Sequence, residues 1–365
     1  MKQDNKETSS LLVIGNGFDL HCGLRSTFSA YYDSECYKVL DDFYCAYFGK
    51  EYRLAMKIVE TNKDIINIWS LIFYIQYHSR DVYFQMSDNK STNWFDIEKL
   101  IALSFQRDFD NGYSLKYSVH KGLGLIGKVY DIDKAKDQEI KINPYIFLPF
   151  AQGVKYESDI NYLIDELHKF ENSFKNYISK EQSRQIYQNT AIAFLDKLIE
   201  GDKKVDILNF NYTIIGQNKK VNNQTNIHGS VNDNEIILGI DSNEVTQKEY
   251  NCFTKTYRDL HRVKEVIELP DNVDKIYFYG HSLADADFSY FYSLFDMYDL
   301  YSGSLMLVFL YSDYSPSEEE NEHNHNIYVN RVFELINKYS ETSKKENNLL
   351  HRLLLEGRIV IKKVE

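Results

Sequence analysis

Leu11-Leu12-Val13-Ile14-Gly15-Asn16-Gly17-Phe18-Asp19, followed shortly by Gly23-Leu24, decides the reading of this chain. Four apolar residues, two of them β-branched, make a short strand buried on both faces. Two glycines one residue apart then allow a sharp turn with no Cβ in the way. In an α/β domain such a turn is where the phosphates or ribose of a nucleotide approach the backbone. Asp19 follows as either a cap for the next helix or a contact to a ligand.

Further strand signals return only after Asp202. Val205 to Phe210 reads as a strand ending in Asn211-Tyr212-Thr213, and Ile236 to Gly239 is another apolar run. Lys275 to Tyr279 ends in Gly280-His281-Ser282-Leu283, Leu305 to Tyr311 is strongly apolar, and Ile359 to Lys363 suits a last edge strand. Asp285–Tyr298 and Asn324–Tyr339 carry helical spacing. Strands alternating with helices predict an α/β fold with a mostly parallel sheet covered on both faces.

Between Asp33 and about Glu200 the pattern is helical. Apolar residues recur at helical spacing in Tyr37–Phe48, Ile65–Tyr77, Phe95–Phe105, Ile160–Ile178 and Ile186–Ile199,. Lys116–Tyr130 and Ile140–Leu148 stay ambiguous, and Gly122–Gly127 reads as a flexible loop despite its G-x-G-x-x-G spacing. The expected organisation is a nucleotide-binding core of residues 8–32 and 202–365, with 33–201 as a mainly helical insertion or cap. Ser26 or Thr27 is the expected cap of the helix beginning near Phe28.

Composition narrows the function classes. The 365 residues are 43% hydrophobic and 26% charged, which suits a globular chain with a sizeable core,. The 30 Tyr and 22 Phe are expected to fill core contacts. A net charge of −12 with no basic run argues against a nucleic-acid partner,. Cys22, Cys36, Cys45 and Cys252 form no C-x-x-C pair, so no structural zinc site is expected, and scattered thiols suit a reducing cytoplasm. The polar first ten residues carry no signal peptide and no apolar run approaches a membrane span. Ser315–Asn326, with three consecutive glutamates, His323 and His325, reads as a solvated loop.

Four polar clusters stand where predicted strands end or pause: Gly15–Asp19, Asn209–Thr213, His228-Gly229 and Gly280–Asp287. Ligands of open α/β sheets bind at the carboxyl ends of strands, so these distant clusters can share one site. Asn209, Asn211 and Thr213 exceed what a turn after a strand requires. His228 is either a packed histidine beside a turn or a general base. Asp285 and Asp287 are helix caps or ligand contacts; at i and i+2 they face different sides of a helix, which disfavours a metal pair.

At these residues the chain resembles the AbiH family of bacterial abortive-infection proteins. The segments that carry the resemblance are Ile14–Leu20 with Gly23-Leu24, Asn209–Thr213, Ile227-His228-Gly229, and Gly280-His281-Ser282-Leu283 with Asp287. Trp94-Phe95-Asp96-Ile97-Glu98 is similar to that family's tryptophan–acid motif. Arg25 stands where the family usually has proline. A more distant resemblance is to the sirtuin-like NAD-binding fold, whose motifs occur in this same order. It implies that Gly15 and Gly17 line the NAD phosphates, that Ser282 contacts the cofactor near its phosphates, that Asn211 sits beside the nicotinamide ribose and that His228 is the base. Asn16, Asp19, Asn209, Thr213, Gly280, Asp285 and Asp287 are expected as further cofactor contacts from their place in the strand-end clusters. The sirtuin zinc cysteines have no counterpart and no metal is expected.

The resulting expectation is a cytoplasmic anti-phage effector that binds NAD and hydrolyses its N-glycosidic bond, with an unknown phage trigger. A homo-oligomer is left open. One alternative is a non-catalytic nucleotide sensor or partner-binding switch; another is a metal-dependent nuclease or phosphohydrolase using Asp19, Asp285 and Asp287.

Overall fold

The computed structural model describes residues 9–67, 69–70, 101, 159–199, 201, 204–241, 245, 248–261, 267–283, 287–342 and 348–364. In chain order, β1 (Ser9–Ile14) leads into α1 (Asn16–His21). Next come α2 (Phe28–Tyr31), a π-helical turn (Tyr32–Cys36), α3 (Tyr37–Phe48) and α4 (Tyr52–Thr61). Two longer helices follow, α5 (Asp159–Gln182) and α6 (Gln185–Leu198), then β2 (Val205–Asn209) and β3 (Val221–Asn226). A 3₁₀ helix (Lys248–Phe253), α7 (Lys255–His261), β4 (Val273–Tyr279), α8 (Phe288–Met297), β5 (Met306–Tyr311), α9 (Glu318–Thr342), α10 (Leu349–Leu355) and β6 (Ile359–Lys363) complete the described elements.

The six strands form one sheet in the order β3-β2-β1-β4-β5-β6, and every pair is parallel. The α/β reading therefore holds. The order runs outward in both directions from the centre, so the chain reverses its direction of travel between β1 and β4. That reversal is the position where ligands of such sheets bind.

The chain divides into two compact units. The first comprises residues 1–26, 178–233 and 262–365 and contains the sheet. Its two cores follow from the strand period of two. Leu11 and Val13 of β1, Ile276 and Phe278 of β4, and Leu307 and Phe309 of β5 share one face with Phe291 and Phe295 of α8 and Leu335 and Ile336 of α9. Leu12, Ile14, Val308 and Leu310 share the other with Phe18, Tyr187, Phe194 and Leu195. Burial on both faces is why β1 reads as an unbroken apolar run.

β3 was not anticipated. Val221-Asn222-Asn223-Gln224-Thr225-Asn226 lacks apolar alternation because it is an edge strand: Val221 packs on the core, and Asn222, Gln224 and Asn226 hydrogen-bond. The region read as a solvated loop at Ser315–Asn326 is mostly the start of α9. Glu318, Glu319 and Glu320 occupy its first turn, where negative charge complements the helix dipole,.

The second unit comprises residues 27–177 and 234–261. Thr27 caps α2, its hydroxyl accepting from the Ala30 N–H at 3.1 Å, as one of the two expected caps. Rings fill its core: Phe28, Tyr31, Phe170 and Phe174 pack at centroid separations of 5.3–6.4 Å. The Tyr31 hydroxyl donates to Ser173 Oγ at 2.7 Å. The apolar run at Ile236–Gly239 is not a strand. The Leu238 N–H donates to Glu171 (2.8 Å) and its carbonyl accepts from Arg258 (2.8 Å), so a buried ion pair replaces a sheet partner. Trp94–Glu98, Phe95–Phe105 apart from Ile101, Lys116–Tyr130, Ile140–Leu148 and Gly122–Gly127 lie outside the described residues, as does Ile65–Tyr77 beyond Ser70.

Candidate functional site at the carboxyl edge of the sheet

One row across the sheet joins Asn226, Asn209, Ile14 and Tyr279 as neighbouring residues of β3, β2, β1 and β4. The motif residues Gly15, Asn211, His228, Gly280 and His281 all follow within two residues of that row. Because the strands are parallel, the clusters predicted at strand ends emerge at the same edge.

The glycines serve the meeting of two loops. The Gly17 N–H donates to the Gly280 carbonyl at 2.7 Å and the Gly15 N–H to the Tyr279 carbonyl at 3.1 Å. A Cβ on Gly17 would lie 2.7 Å from Gly280 Cα, and one on Gly15 would lie 2.6 Å from His281 Cα. Gly280 has φ +68°, and its Cβ would sit 2.3 Å from the Phe18 nitrogen. The two glycine N–H groups expected to face phosphates are thus satisfied within the protein. Asn16 is half-buried, with its Oδ1 accepting from Ser26 Oγ at 2.5 Å.

Asp19 does not cap. The N-cap position of α1 is Gly15, and Asp19 lies inside the helix, 1% exposed. Its carboxylate accepts from the Tyr187 hydroxyl (2.7 Å) and from Thr213 Oγ1 (3.0 and 3.1 Å). Burial raises its pKa to about 7, against the pull of those two hydroxyls,. Tyr187, which no sequence motif marked, comes from α6 and ties three segments together.

Amide side chains lock the loop after β2. Asn209, wholly buried, donates to the Thr213 carbonyl (2.8 Å) and accepts from the Asn211 N–H (2.9 Å). Asn226 of β3 donates to the carbonyls of Asn211 (2.7 Å) and Thr213 (2.9 Å). Gln182 accepts from the Ile214 N–H at 2.9 Å, and Gln188 accepts from the Gly216 N–H at 2.9 Å. Asn209 therefore shapes the loop with its side chain turned into it, while the Thr213 side chain ties the loop to Asp19 of α1. Asn211 differs: it is 6% exposed, and its Nδ2 has no hydrogen-bond partner among the described residues. A buried amide donor left without a partner costs about 1–3 kcal/mol, and retaining one is a mark of a group held for something else.

His228, Asp287 and His281 form the polar centre. Asp287 stands at the N-cap position of α8, yet its side chain makes no capping bond. Its Oδ1 lies 3.3 Å from His228 Nε2 and its Oδ2 lies 3.4 Å from His281 Nε2. All three residues are at least nine-tenths buried. Phe210 presents its edge geometry to both imidazoles, at 5.8 Å from His228 and 4.8 Å from His281, and Tyr290 meets His228 at 5.5 Å. His281 was missed as a site residue although it lies inside the quoted Gly280-His281-Ser282 motif. Ser282 is exposed, and Asp285 lies outside the described residues.

An imidazole oriented by a carboxylate can take a proton from water or a hydroxyl, and a buried amide donor on a loop at the same edge of the sheet can hydrogen-bond a polar group. Among the described residues no group of three or more His, Cys, Asp or Glu side chains is arranged to hold a metal ion. No described helix is long and apolar enough to cross a membrane.

A family model described as bacteriophage abortive infection AbiH matches residues 11–311, which takes in every one of these strand-end motifs. No curated protein and no solved structure gives a significant match.

Proposed function

The chain belongs to the AbiH family of bacteriophage abortive infection proteins, and from that premise we propose that its carboxyl-edge site binds NAD and hydrolyses the N-glycosidic bond to nicotinamide. Abortive infection requires an effector that stops the infected cell, and removal of NAD does so. The observation that carries the reading is the combination of His228, Asp287 and the buried, unpartnered Nδ2 of Asn211 at the carboxyl edge of the sheet.

The reaction needs little covalent help from a protein. Water adds to the anomeric carbon of the ribose, the bond to the pyridinium nitrogen breaks, and neutral nicotinamide departs, leaving one proton to be taken up. His228 is the group to take that proton. Asp287 holds the imidazole in place and balances the positive charge it acquires. Asn211 Nδ2 donates to a ribose hydroxyl or to the attacking water. The half-buried ring of Tyr290 and the carboxylate of Asp287 favour a cationic group, as the pyridinium is before cleavage. Asn209, Asn226 and Thr213 act at a distance by holding Asn211 in place.

The test is to incubate purified protein with NAD, with and without lysate of phage-infected cells, and to quantify nicotinamide and ADP-ribose. Equal release of the two products, lost in His228→Ala, is expected. Absence of turnover under both conditions overturns the catalytic reading. Recovery of intact NAD from denatured protein would then favour a nucleotide sensor.

A further inference from the structure

Asp287 is shared by two imidazoles, and the surroundings make them unequal. The Leu283 N–H donates to His281 Nδ1 at 3.0 Å. A backbone N–H can only donate, so that nitrogen carries a lone pair and the proton of a neutral His281 ring sits on Nε2, which faces Asp287,. The loop pays for this arrangement: Leu283 has φ +51° although it is not glycine, a conformation costing of order 1–2 kcal/mol, and it is fully buried,. The rings of Phe210 (4.8 Å) and Phe291 (5.0 Å) meet His281 near-perpendicular and fix its plane.

We propose that His281 is a positioning residue that pins one oxygen of Asp287 so that the other is presented to His228. It rests on the proposed role of His228 as the base. His281 itself takes no proton from the substrate, because its Nδ1 is occupied by Leu283 and its Nε2 is turned to Asp287 at 3.4 Å. Strain at Leu283 and the withheld helix cap at Asp287 are two local costs that the same arrangement explains. The titratable groups set against His228 by the described contacts are Asp287 before α8, His281 behind it after β4, and Tyr290 on α8.

The experiment uses the full chain with ¹⁵N-labelled histidine. In the wild type, His281 should show the Nε2–H tautomer. His281→Leu removes the donor, and His281→Gln keeps an N–H at a similar reach. The His228 ring signals should move in the leucine variant and return toward wild type in the glutamine variant. In NAD turnover, kcat should fall about tenfold or more for His281→Leu with KM within about threefold, and His281→Gln should recover most of it. An Nδ1–H tautomer in the wild type overturns the proposal, as does a His228 spectrum that responds equally to both substitutions. If the leucine variant does not fold, the wild-type tautomer decides. Spectra that follow the donor in a protein with no NAD turnover would retain the positioning role and reject the hydrolase reading.

Discussion

Asp287 and His228, 59 residues apart, face each other at 3.3 Å across the ends of β3 and β4, and the carboxylate does so instead of capping α8. A side-chain cap at a helix start is worth about 0.5–2 kcal/mol. Holding the acid away from that use is a cost borne for the site. Asp287→Ser should therefore separate the two demands. Serine caps well and removes a buried charge but leaves the Nε2 atoms of His228 and His281 without their carboxylate, so the terms offset and thermal or urea unfolding should show a change of no more than about 1 kcal/mol,. NAD turnover should fall at least about 100-fold. A variant that loses stability and activity together would make Asp287 a structural residue.

Two asparagines at the end of β2 look alike in sequence and should behave oppositely. Asn209 spends its amide on the Thr213 carbonyl and the Asn211 N–H inside the protein. Asn209→Ala leaves the Asn211 N–H without its acceptor and takes from the Thr213 carbonyl one of its donors, Asn226 remaining, and should cost about 1–3 kcal/mol,. Asn211 carries a buried Nδ2 with no partner among the described residues. Asn211→Ala should change stability by less than about 1 kcal/mol, in either direction, while reducing turnover about 100-fold or more. Urea titrations of the two variants, beside product assays on the folded fraction, make the comparison.

The same contrast marks what could be read from the chain. β1 was legible because both faces of Leu11–Ile14 are buried and the glycines follow at once. β3 was not, because an edge strand whose Gln224 and Asn226 hydrogen-bond a neighbouring loop has no apolar signature. The clusters at the strand ends were found, and one cross-strand row places them together. Their division of labour was hidden. Nothing in Gly280–Asp287 tells whether an acid before a helix caps it or turns toward a histidine from β3. Nothing near Asp19 announces Tyr187, 168 residues away. Nor could spacing show that Gly15 and Gly17 make room for Gly280 and His281.

That crossing gives a structural prediction independent of any ligand. Gly280→Ala meets two penalties: φ +68° and a Cβ 2.3 Å from the Phe18 backbone nitrogen. Gly17→Ala meets backbone at 2.7 Å. Neither obstacle is a flexible side chain that can swing aside. Each substitution should destabilise by about 3 kcal/mol or more, seen as loss of soluble protein or a large fall in Tm. Gly23→Ala has open space and φ +80°, so only the backbone term, about 1–2 kcal/mol, applies there. Equal tolerance at all three positions would remove the loop crossing from the account of the fold.

Asp19 supplies the pH dependence. Its carboxyl has a folded value of about 7 against an ordinary value of 3.8, chiefly because it is buried. Between those two pH values the folded chain keeps the proton and the unfolded chain releases it. The unfolded state is therefore favoured progressively as pH rises from about 4 to about 7, and the cost is complete above 7. Three units correspond to an upper bound of about 4 kcal/mol. Asp19→Asn has no proton to lose and can still accept from Tyr187 or Thr213. The difference in unfolding free energy between this variant and the wild type should move in the variant's favour as pH rises from 5 to 8, and stay level above that. Urea unfolding of both proteins at a series of pH values measures the difference directly and cancels groups they share. A difference independent of pH would mean that Asp19 ionises in the fold at its ordinary value, with Tyr187 and Thr213 compensating its burial in full.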